Sequence, residues 1–114
     1  MCRANKDTGY GYFLTLSNQY AEIAKSSSEK EYQPLKRVAH LVDPTAVNRL
    51  HAECTSEYGA TAVRLALSVN GHLVAEYVDR AAPLATGGVG LWLGTDGTAR
   101  VTGEAEFDNL RVWS

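Results

Sequence analysis

The chain has 114 residues, a formal net charge of −2 and 21% charged residues. That length holds one domain with one core, so residues 1–114 read as a single unit. The slightly acidic balance argues against nucleic-acid and anionic-membrane partners, which need a basic patch. No apolar run reaches the roughly 18 residues of a membrane span.

Met1-Cys2-Arg3-Ala4-Asn5-Lys6 lacks the apolar stretch of a secretory leader, so a leader for a secreted domain is expected outside these residues. Tyr10-Gly-Tyr-Phe-Leu-Thr-Leu-Ser17 is rich in aromatic and β-forming residues and predicts a strand, turned by Asn18-Gln19. Tyr20–Lys25 alternates Ala21 and Ile23 against Glu22 and Ala24 and predicts a second strand, followed by a polar turn over Ser26–Glu31. Tyr32–Leu41 is a weaker element. Pro34 opens it and Asp43-Pro44 closes it, with room for a short helix over Leu35–Val42.

The second half alternates more clearly. Asn48–Thr55 sets Leu50, Ala52 and Cys54 against Arg49, His51 and Glu53. Ala62–Val69 sets Val63, Leu65, Leu67 and Val69 on one face, and His72–Asp79 returns after Asn70-Gly71. Asn-Gly predicts a type I′ hairpin, because both residues accept positive φ. Gly87–Gly94 and Glu104–Trp113 complete seven or eight antiparallel strands, the spacing of a β-sandwich. Gly87-Gly88-Val-Gly90 lacks the Lys and following helix of a phosphate loop and reads as strand glycines. Cys2 and Cys54 cannot form a metal site by themselves. They read either as two buried thiols or as a disulfide between neighbouring strands.

Asn48-Arg49-Leu50, Val69-Asn70-Gly71-His72-Leu73-Val74-Ala75, Gly88-Val89-Gly90-Leu91 and Phe107-Asp108-Asn109-Leu110-Arg111-Val112, in that order, resemble the second half of concanavalin A-like (laminin-G-like) jelly-roll domains. The nearest resemblance is to bacterial versions related to the 3-keto-disaccharide hydrolase-type family. It covers Cys2 to Trp113 and implies an all-β antiparallel sandwich. It also implies a Cys2–Cys54 disulfide and hence an extracellular or cell-surface setting. Domains of this kind are longer, so the resemblance implies N-terminal strands ahead of Met1. The last strand is then expected to be an open edge, available to pair with a second copy.

Function at this stage rests on few residues. Glu104, Glu106 and Asp108 alternate like the catalytic acids of jelly-roll glycoside hydrolases, but their order and final-strand position differ. The apolar phase switches face between Phe107 and Leu110, which predicts a bulge near Asp108-Asn109. No catalytic residue is therefore assigned. Asp108 is a weak candidate for a structural calcium, the one cofactor considered. His40, His51 and His72 are scattered and form no triad order. Trp92, flanked by Gly90 and Gly94, is the candidate sugar platform, extended by Tyr10 and Tyr12, with Arg3 and Arg64 as polar contacts. The expected role is a non-catalytic module within a larger secreted or surface protein, binding a glycan or a surface protein. The rivals are a glycoside-acting enzyme and an assembly module that completes its sheet with another chain.

Overall fold

A computed structural model describes residues 1–17, 19–28, 31–40, 47–57, 59, 61–84 and 87–90. Among these residues there are six strands and no helix. They are β1 (Gly11–Leu16), β2 (Tyr20–Ser26), β3 (Gln33–Ala39), β4 (Leu50–Glu57), β5 (Ala62–Val69) and β6 (His72–Asp79). They form two antiparallel three-stranded sheets, β1-β2-β3 and β4-β5-β6, each a simple meander.

The sheets pack face to face through the alternation read in the sequence. Tyr12, Leu14, Ala21 and Ile23 from one sheet meet Val63, Leu65, Leu67 and Ala75 from the other in a single core. Directly opposed residues share a face, and Leu14↔Ile23 and Leu16↔Ala21 fix the inward phase of β1 and β2. On β4, Leu50, Ala52 and Cys54 oppose Val69, Leu67 and Leu65, so the predicted phase is right. Leu50 and Ala52 nonetheless stay exposed and Cys54 half-buried, because β4 has only β5 as a neighbour among the described strands.

The short helix considered over Leu35–Val42 is not formed across its described part: residues 33–39 are strand β3. A proline removes a ladder donor and is confined to edges and bulges. Pro34 has both conditions, because β3 is the outer strand of its sheet and its register against β2 shifts at Ile23/Ala24. The hairpin at Asn70-Gly71 forms as predicted, with φ of 52° and 83°. Asn70 also fastens the start of β4: its N–H donates to Arg49 O and its Oδ1 accepts from Arg49 N.

The N-terminal segment ties the layers together. Cys2 exchanges both backbone hydrogen bonds with Tyr12, and Ala4 exchanges both with Gly88, so residues 1–4 lie between β1 and residues 87–90. Cys2 is disulfide-bonded to Cys54 on β4. The bond joins the two sheets rather than neighbouring strands of one sheet. Gly87 has a steric role, since a Cβ there would lie 2.4 Å from the Arg3 carbonyl carbon. The strand pattern read over 91–94, the last strand with Glu104, Glu106 and Asp108, and Trp92 lie outside the described residues.

Candidate functional site

Among the described residues, the outward face of β1-β2-β3 gathers a group of chemically distinctive side chains. The register places Phe13 beside Ala24 and Pro34, and Thr15 beside Glu22 and Arg37, with Tyr20 opposite Ala39. These side chains alternate with the core residues and so point away from the core. Tyr32, just before β3, leans over this face with its ring centroid 6.0 Å from that of Phe13, at a tilted angle.

Glu22 is 3% exposed although it lies on an outward face. A buried carboxylate is costly unless it is paired and hydrogen-bonded, and both of its oxygens are occupied. Tyr32 Oη donates to Oε1. Arg37 donates to Oε2 from Nε at 2.7 Å and pairs with it through Nη2 at 2.5 Å. The Arg37 guanidinium also stacks on Tyr20, its carbon 4.1 Å from the ring centroid, a geometry that favours the planar Arg side chain. Burial, and then donation to Glu22, push the Tyr32 phenol well above its ordinary pKa. Half of Tyr32 still faces solvent. The result is a ring, a guanidinium plane and a neutralised carboxylate, held in register by three adjacent strands.

A second polar cluster lies inside the sandwich. Lys25 Nζ donates to Asp79 Oδ2, Ala81 O and Ala82 O, each at 2.8 Å. Tyr12 Oη donates to the same Asp79 oxygen at 2.7 Å and accepts from Leu84 N at 2.9 Å. Burial, and then the bond to Asp79, raise the Tyr12 pKa far above the ordinary tyrosine value. A shallow groove of about 250 Å³ lies over this cluster, lined by Tyr10, Ser27, Ser28, Gln33, Leu84 and the 81–82 turn. All three lysine N–H groups are committed, so the cluster fixes a turn and offers no cation to a ligand.

Of the sequence-predicted binding residues, Arg3, Tyr10 and Tyr12 gather around Leu84, while Arg64 lies apart from them. Tyr12 is fully buried and its hydroxyl is engaged in the core, so it presents no platform. Tyr10 lies at the groove mouth. Arg3 donates to Leu84 O and Ser56 Oγ, fastening the N-terminal segment across the sandwich. Arg64 is on the outer face of the other sheet, bridging Glu53 at 2.8 Å and Glu76 at 3.0 Å. Trp92 and the calcium candidate Asp108 lie outside the described residues. Among the described residues no group of three or more His, Cys, Asp or Glu side chains is placed to hold a metal.

The face built by Phe13, Tyr20, Glu22, Tyr32 and Arg37 has a faint sequence signal. Tyr12, Leu14 and Leu16 form the more apolar phase of their strand, which leaves Phe13 and Thr15 outward. Tyr20 and Glu22 follow in phase on the next strand. Tyr32 and Arg37 carry no signal that they fold back over Glu22. The chain matches no protein-family model, no curated protein and no solved structure.

Proposed function

We propose that this chain is a non-catalytic binding module of the concanavalin A-like jelly-roll type, acting at the cell surface or outside the cell, with a glycan as its ligand. One observation carries the reading: the outer face of β1-β2-β3 combines the half-exposed Tyr32 ring with the Arg37 guanidinium, braced by buried Glu22. Sugar recognition needs that combination, a flat apolar surface for a pyranose face and fixed donors for its oxygens. The Cys2–Cys54 disulfide supports an oxidising compartment.

The rival glycosidase reading needs two carboxyl groups roughly 5–9.5 Å apart across a sugar bond. In the described outward rows of β1, β2 and β3 Glu22 is the single acid, and both of its oxygens are engaged. Replacing Tyr32 with Leu removes the ring while keeping an apolar cover over Phe13. Tyr32→Leu is expected to lower glycan-array binding by about tenfold or more, the scale of a lost stacking contact, with cooperative unfolding retained. Absence of binding by the parent chain across a broad array would overturn the reading.

A further inference from the structure

We infer that this face selects uncharged saccharides and rejects acidic ones, an inference that rests on the glycan reading above. Two charged side chains occupy the outward rows of β1, β2 and β3, and they are Glu22 and Arg37. They are of opposite sign and in direct contact, so the pair carries no net charge. Its arrangement in depth matters as much as its sum. The carboxylate lies beneath, with its side chain 4% exposed, while the Arg37 side chain is 57% exposed.

A uronate or sulfate approaching Arg37 meets a guanidinium whose charge is already balanced by an anion on its other edge. Coulomb attraction and repulsion then nearly cancel, while the ligand anion still loses its hydration. A cationic sugar likewise gains no net attraction from the balanced pair and also loses its hydration. A neutral ring loses nothing of this kind. Its hydroxyl and ring oxygens accept from Nη1, which has no acceptor among the described residues, and its C–H face lies on Tyr32. Glu22 thus positions Arg37 and sets its effective charge, and it touches no ligand, because Tyr32 and Arg37 already occupy its oxygens.

The test is a printed array carrying neutral oligosaccharides beside uronate-containing, sialylated and sulfated ones, probed with the whole chain at about 50 and about 500 mM NaCl. The parent chain is expected to bind neutral glycans, with signals that change by less than about threefold between the two salts, since no net charge is matched. Glu22→Gln leaves Arg37 uncompensated and keeps an oxygen for it. It is expected to gain acidic ligands, with binding that falls at least about tenfold at the higher salt. The double variant Glu22→Gln/Arg37→Gln, which restores neutrality, is expected to lose that gain, and thermal unfolding of each variant confirms a folded chain. Preferential binding of acidic glycans by the parent, or a folded Glu22→Gln variant with unchanged selectivity, overturns the inference while leaving glycan binding in place. No binding of either class by the parent overturns the glycan reading and the inference with it.

Discussion

Lys25 occupies a position that the alternation of β2 reserves for an apolar side chain. It shares its phase with Ala21 and Ile23 and stands opposite Tyr12. Its side chain is 6% exposed, and its ammonium is surrounded by the Asp79 carboxylate and two carbonyls. Ala82 has φ of 52°, a left-handed conformation unfavourable for a residue with a Cβ. The two lysine–carbonyl bonds hold that turn in place. Replacing Lys25 with Met leaves Asp79 charged and buried with, among the described residues, only Tyr12 Oη and Ala81 N as partners. The expected loss is about 3–5 kcal/mol, the scale for orphaning one member of a buried pair. Lys25→Met/Asp79→Leu should recover part of it. Urea unfolding of the single and double variants measures both, and a double variant no better than the single one contradicts the pairing. The sequence could not reveal this cluster: Lys25 and Asp79 are 54 residues apart, and Tyr12 and Asp79 are 67 apart. A polar residue in an alternating run reads as outward, and only the tertiary pairing makes inward placement tolerable. Glu22 is the converse, correctly outward yet buried by Tyr32 and Arg37.

At the scale of elements, the second sheet was legible because its signals are local. Asn70-Gly71 joins β5 to β6, and Val63, Leu65 and Leu67 set the inward phase without help from distant residues. β3 was harder to read, since Pro34 and the charged Lys36-Arg37 pair obscure an outer strand whose register is irregular. The N-terminal segment was legible only as a cysteine position. Its backbone pairs with β1 on one side and with residues 87–90 on the other, while its disulfide reaches across to β4. Met1, whose terminal amine donates to Gly90 O at 2.9 Å, and Arg3, which donates to Ser56 Oγ on β4, add further ties to the same segments. Cys2→Ser/Cys54→Ser should therefore lower stability by roughly 4 kcal/mol, the chain-entropy value for a loop of this length. The loss should also be uneven. Amide exchange is expected to accelerate first at Cys2, Ala4, Gly88 and Gly90, whose N–H groups make these edge bonds, while β5 exchanges only with global unfolding. Uniform acceleration throughout the chain would show that the segment is not a separately released unit.

At the scale of the whole molecule, Tyr12 lies where both sheets and the 79–84 turn meet, so its protonation state bears on the entire fold. Its hydroxyl donates to Asp79 and is fully buried. Ionisation would place a phenolate against a carboxylate, away from water, which is why its pKa is raised. An unfolded tyrosine loses its proton near pH 10, whereas the folded one holds it to higher pH. Between those two values the native state binds more protons than the unfolded state, so stability falls as pH rises. The contribution is intact below about pH 10, and above it declines by on the order of 1 kcal/mol per pH unit. Tyr32 shifts in the same direction, but it is half exposed, so solvent weakens its effect on stability. Tyr12→Phe should lower stability at neutral pH by about 1–3 kcal/mol, because Leu84 N loses its acceptor and Asp79 a donor. The same variant should flatten the alkaline decline, since the group that titrates is gone. Urea unfolding at about pH 8, 10 and 11 separates the two effects. A Tyr12→Phe curve parallel to the parent's at every pH would mean that another group governs alkaline stability. Convergence of the two curves as pH rises is the expected result, because the parent steadily loses the advantage that the buried phenol gives it.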